Sequence, residues 1–156
     1  MRLLKQYAAL PYRVRDGALE VLLITSRDSG RWVIPKGNPI PGLSGPRTAA
    51  REAYEEAGIE GAVGSRSLGR YRYVKRRADG SERDAEVRVY PLAFARQLAD
   101  WPERGQRALA WHGPSEAAAR VAEPGLAALI RDFRPPEPGA APPRSPLRRL
   151  LAWWRG

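Results

Sequence analysis

Apolar and polar positions alternate over 6–13 and again over 19–25, and between them Asp16-Gly17 supplies the two turn residues of a tight hairpin. The pattern predicts a sheet that begins close to the N-terminus. A short apolar piece over 31–34 runs into Pro35-Lys36-Gly37, and Pro39, Pro41, Gly42 and Gly45 make the following residues a loop. Residues 48–57 contain no helix breaker and are rich in alanine and glutamate. Pro46 suits the first turn of a helix there and Gly58 suits its end. The three glycines between 61 and 69 lack the spacing and the lysine of a nucleotide P-loop and read as turn and strand. Two further strands are expected over 67–75 and 85–95, joined through Asp79-Gly80, with Arg70 and Arg72 alternating with Tyr71 and Tyr73. A short strand over 107–111 and one or two helices over 115–121 and 125–133 complete a mixed α/β arrangement.

Composition bounds this picture. With 156 residues, 43% of them hydrophobic, the chain suits one globular domain with a full core, expected over 1–134. Six of the twelve residues 135–146 are proline, which predicts an extended spacer. Beyond it Leu147, Leu150, Leu151 and Trp154 recur at helical spacing beside Arg148, Arg149 and Arg155, a short basic amphipathic helix over 147–156. Such a helix suits weak contact with an anionic membrane surface, docking on the domain, or disorder in solution. The absence of cysteine excludes disulfides, thiolate metal sites and a cysteine nucleophile, and a single His112 excludes a histidine-rich metal site. His112 has no acid beside it in sequence and reads as structural. No apolar run approaches membrane-spanning length and residues 1–12 carry no signal-type core, so the expected address is cytoplasmic. A net charge of +10 attracts phosphorylated small molecules, nucleic acid or an anionic surface without choosing among them.

The sharpest chemistry lies on the central helix. At about 100° per residue, Glu52, Glu55 and Glu56 share one side, next to a face of Ala49, Ala50, Ala53 and Ala57. Like charges three and four residues apart repel, and acids in a last turn meet the negative end of the helix dipole. Two readings stay open from the helix alone: a solvated acidic face, or a cluster neutralised by a hard divalent cation that also binds phosphate oxygens.

The segment from Gly37 to Ile59 resembles the Nudix box: glycine, five residues, glutamate, seven residues, arginine-glutamate, an aliphatic residue, any residue, two glutamates, any residue, glycine, aliphatic. Gly37, Arg51-Glu52, Ala53, Glu55-Glu56, Gly58 and Ile59 match at the required spacing, and Leu43 stands where the first glutamate is usual. Ser26-Arg27, Trp32 to Gly37, Trp101-Pro102-Glu103, Arg107, Trp111 and Glu116-Ala117-Ala118 are similar to flanks of the diadenosine polyphosphate and diphosphoinositol polyphosphate hydrolase group.

The resemblance implies an α/β/α sandwich around a mixed sheet. It also implies hydrolysis, dependent on magnesium or manganese, of the diphosphate bond in a nucleoside diphosphate linked to another moiety, such as a dinucleoside polyphosphate or an inositol pyrophosphate. On this reading Glu52, Glu55 and Glu56 bind metal, with Glu52 and Glu56 favoured as ligands and Glu55 shared between ligand and base. Arg51 anchors the carboxylates, though Leu43 removes its customary partner. The Lys36 carbonyl completes the metal shell and Gly37 permits close approach. A distal acid is expected at Glu103, ahead of Glu86 and Glu82. Arg27 and Lys36 are expected to bind the small phosphorylated substrate. Two alternatives accompany this reading: an RNA 5′-end pyrophosphohydrolase, which the charge suits, and a non-catalytic nucleotide- or nucleic-acid-sensing module, for which Leu43 would be the first sign of decay.

Overall fold

The computed structural model describes residues 3–136. The proposed amphipathic helix over 147–156 and nearly all of the proline-rich spacer lie outside the described residues.

Strands β1 (Leu4–Arg15) and β2 (Ala18–Thr25) form the expected hairpin, antiparallel, with Tyr12 opposite Val21 and Arg15 opposite Ala18. Asp16 and Gly17 both take positive φ, 51° and 79°, the turn whose twist matches that of the flanking strands. The apolar piece near residue 32 is the two-residue strand β3 (Trp32–Val33). Within the expected loop, β4 (Lys36–Gly37) pairs with Tyr7 and Ala8 of β1. That pairing fixes the backbone of Lys36 and Gly37 against the sheet.

The central helix α1 (Gly45–Ala57) starts at Ser44, whose hydroxyl accepts from the Arg47 amide at 3.4 Å, with a proline in its first turn. It ends at Gly58, whose φ of 65° lets its amide reach back to the carbonyls of Ala53 and Tyr54. Thr48, Ala49, Ala50, Ala53 and Ala57 are buried, so the small-residue face lies close on the sheet. Ala9, Leu22, Ile24, Tyr90 and Leu92 form the opposing surface.

Strand β5 (Ile59–Val63) follows at once; then come β6 (Gly69–Arg76), the sixteen-residue β7 (Glu82–Gln97) and β8 (Leu109–His112). β7 runs parallel to β1 and antiparallel to β5 and β6, and β8 pairs with β2. The sheet is therefore mixed. Two helices close the other face, α2 (Pro114–Arg120) and α3 (Pro124–Asp132). Ala117, Ala118, Leu126, Ala127 and Ile130 from these helices, with Phe133, meet Ala8, Leu10, Val21, Leu23, Val87 and Val89. With α1 on one face and α2 and α3 on the other, this is the expected α/β/α sandwich.

The differences from expectation are local. Strands extend beyond the predicted ends because backbone pairing continues after the apolar alternation stops. The short strand falls at Leu109–His112 rather than 107–111, since Arg107 uses its side chain elsewhere. β5 was not anticipated as a strand of its own. It is five residues long with Gly61 inside it, and a register shift between Glu60 and Gly61 breaks its period of two.

Candidate active site

The last turns of α1 face β4 and the loop over 98–108, and there the carboxylates meet their partners. Glu56 is 8% exposed and accepts a hydrogen bond from the Lys36 amide at 3.2 Å. A guanidinium nitrogen of Arg107 lies 3.5 Å from its other oxygen. Glu52, one turn earlier, lies against Gly37, where an added Cβ would fall on its carboxyl group. A glycine here leaves the Glu52 carboxyl the space that a methyl group would take. Burial first, then the charges of Glu56 and Glu55 and a hydrogen bond shared with Glu56, push the Glu52 carboxyl up to about 8. Burial also raises Glu56, against the opposing pull of Arg107 and of the Lys36 amide.

Arg51 answers the question raised by Leu43. Its Nε donates to Glu55 Oε1 at 3.1 Å one helical turn on, and its guanidinium carbon lies 5.7 Å from the centre of the Tyr54 ring. The arginine finds its acid within its own helix.

Glu103 is brought to the site both by its backbone, which donates to the Glu55 carbonyl at 3.1 Å, and by Arg107, which touches it at 3.1 Å and 3.2 Å. Arg27 approaches the same carboxylate at 3.7 Å and donates to Gln106 at 3.1 Å. Glu86 instead pairs with Arg70 and Arg72, and Glu82 with Arg76, on the β6–β7 hairpin. The Lys36 Nζ sits 5.0 Å over the Tyr73 ring. Burial lowers the pKa of this ammonium, while Glu56 and Glu123 raise it.

Among the described residues no group of three acidic side chains stands ready to hold a metal ion. The structure brings Glu52 and Glu56 together, and Glu55, Glu56 and Glu103 each stand in an ion pair with an arginine. Two carboxylates and the Lys36 carbonyl are all hard oxygen donors. That set fits magnesium, which commonly binds one or two carboxylates plus phosphate oxygens and waters.

Two functional features escaped the sequence reading. Arg107, noted only as a flank, is the buried cation that ties Glu56, Glu103 and the Thr25 carbonyl together. Glu123 is buried at 8% exposure immediately before α3. An acid followed by proline at a helix start reads as an ordinary surface end, so no local pattern marks it. His112 matches its structural reading in part: its Nδ1 lies 3.6 Å from Glu116 and its ring meets Trp32 edge-on, while its Nε2 is buried with no hydrogen-bond partner among the described residues.

The fold and this helix define a class, an α/β/α sandwich with paired glutamates on a helix beneath a glycine strand. Solved structures of similar fold include an Ap4A hydrolase from C. elegans (TM-score 0.60, 20% identity, 83% of this chain and 95% of that one) and the E. coli dihydroneopterin triphosphate pyrophosphohydrolase (TM-score 0.63, 20% identity, 85% and 97%). The NUDIX domain family model matches residues 4–133, and the chain belongs to the Nudix family. Curated relatives include diphosphoinositol polyphosphate phosphohydrolase 2 of Rattus norvegicus, 32% identical over 99 residues, and the 3-beta form of Homo sapiens, 36% identical over 99 residues. These alignments span 64% of this chain and 51% and 56% of the relatives, so the chain spans about half the length of the curated relatives it matches.

Proposed function

We propose that this protein is a metal-dependent pyrophosphohydrolase that cleaves the diphosphate bond of a nucleoside diphosphate linked to another moiety, a dinucleoside polyphosphate or an inositol pyrophosphate among the candidates. The observation that carries the reading is the juxtaposition of Glu52 and Glu56 beneath Gly37, with the Glu52 carboxyl pushed to about 8. A buried and a half-buried acid that repel each other are costly to a fold and useful to a cation site.

Glu52, Glu56 and the Lys36 carbonyl would hold magnesium or manganese, which when bound neutralises diphosphate oxygens and lowers the pKa of water. Glu55, paired with Arg51, would take the proton of the attacking water. The water oxygen bonds to one phosphorus, the bridging phosphorus–oxygen bond breaks, and the displaced phosphate leaves as an anion. Lys36 and Arg27 would supply positive charge to the phosphates of the substrate. Arg107 fixes Glu56 and Glu103 and touches no reacting atom on this account.

The test is magnesium-dependent turnover, with product mass analysis in ¹⁸O-water, over dinucleoside polyphosphates, nucleoside diphosphate sugars, inositol pyrophosphates and triphosphate-ended RNA. Turnover that is lost in Glu56→Gln supports the reading, and its failure to depend on Glu56 or on the metal overturns it.

A further inference from the structure

Glu123 is a buried acid that the chemistry above does not use. It stands just before α3 yet makes no capping hydrogen bond with its side chain, and its Oε1 is buried with no hydrogen-bond partner among the described residues. A carboxylate in that position is costly unless something donates to it.

Its surroundings are polar and ordered. Its charge acts on Lys36, Tyr71 and Tyr73. The Tyr73 hydroxyl donates to Gln6 Oε1 at 2.6 Å, and Gln6 Nε2 donates to Asn38 Oδ1 at 3.1 Å. Gln6 is itself 4% exposed. The hydroxyl of Tyr73 and the amide of Gln6 therefore satisfy each other, and Glu123 is the member of the group left over. Lys36 joins this group to the catalytic helix, its amide on Glu56 and its ammonium over Tyr73.

Resting on the pyrophosphohydrolase reading, we infer that Lys36 and Glu123 form a subsite that reads the moiety attached to the diphosphate: Lys36 takes a phosphate oxygen, and Glu123 accepts an N–H or O–H from an uncharged organic group, the hydrogen-bond donors of a nucleobase or ribose. A buried carboxylate repels an anion at that place, so this subsite favours nucleotides over inositol pyrophosphates, whose rings carry phosphates. Specificity of this kind arises as much from the group that is rejected as from the one that is bound.

Equilibrium binding to the full chain in excess EDTA tests this without turnover, using diadenosine tetraphosphate and a diphosphoinositol pentakisphosphate as probes. The wild type is expected to bind the dinucleotide more tightly. Glu123→Gln, of the same shape, is expected to weaken dinucleotide binding about tenfold or more, the scale of a hydrogen bond to a charged group. Glu123→Lys is expected to reverse the preference. Affinities for both probes that stay within about twofold in both variants overturn the subsite. A wild type that prefers the inositol compound overturns it too. Neither result depends on hydrolysis: a protein that binds as expected but turns over none of the panel contradicts the catalytic reading and leaves the subsite standing.

Discussion

Arg107 and Glu56 form an ion pair at 3.5 Å in which each side chain is only about one-tenth exposed, 9% and 10%. The same guanidinium holds Glu103 and donates to the Thr25 carbonyl at 3.1 Å. It joins three segments far apart in sequence, the end of β2, the last turn of α1 and the loop before β8. Breaking a buried pair by removing one partner leaves an uncompensated charge, which costs about 3–5 kcal/mol. Arg107→Met is expected to lower stability on that scale in urea unfolding, whereas Arg107→Lys retains the charge and loses less. A loss under about 1 kcal/mol in Arg107→Met would show that the pair does not organise the site.

The crowding of Glu52 and Glu56 makes the metal-free protein pH-sensitive. The Glu52 carboxyl is raised from 4.5 to about 8, so the folded chain binds a proton that the unfolded chain has released across that interval. Stability from this group is fully present below about pH 4.5 and is lost as pH rises through about 8. Thermal melts in EDTA are expected to fall between those values. Added magnesium should flatten the fall by replacing the proton, and the proton should appear in the buffer. A melting temperature that does not change over this range contradicts the arrangement.

Gly37→Ala tests the approach of β4 to α1. The new methyl group would occupy the space of the Glu52 carboxyl. Because β4 is pinned to β1, the glutamate rather than the strand must move. The expected result is a folded protein with circular dichroism like wild type and magnesium-dependent turnover reduced at least about a hundredfold. Wild-type rates would place the reacting groups elsewhere.

Leu43→Glu restores the acid usual at that point of the motif. Arg51 already pairs with Glu55, and a pair of this kind on one helix contributes about 0.3–0.5 kcal/mol. Competition on that scale changes a rate by about twofold, so turnover should stay within about threefold of wild type. A tenfold rise would show that Arg51 lacks its proper partner in the native chain.

Much of this was legible along the chain because the decisive signals are local. The hairpin follows from Asp16-Gly17. The central helix follows from its proline, its alanine face and Gly58, and the glutamates follow from helical spacing. Arg107 and Glu123 were harder to see because their importance arises from burial, and burial is a property of the assembled layers. Arg107 lies 51 residues from Glu56 in sequence, and although Glu103 stands four residues before it, nothing along the chain predicts that it also reaches Glu56. Along the chain Tyr73 shows only as one of two tyrosines alternating with arginines in a strand, and nothing there reveals that its hydroxyl donates to Gln6. Helical spacing places Glu55 beside Glu52 and Glu56, yet it does not reveal that Arg51 claims Glu55. Among the described residues no helix is long and apolar enough to cross a membrane.

The most direct test of the central claim is hydrolysis in ¹⁸O-water with magnesium, comparing wild type with Glu56→Gln on diadenosine tetraphosphate and on a diphosphoinositol polyphosphate. The account predicts magnesium-dependent release of ¹⁸O-labelled phosphate product by the wild type and a loss of at least about a thousandfold in a folded Glu56→Gln protein. Equal turnover by the two proteins, or turnover that persists in EDTA, would contradict it.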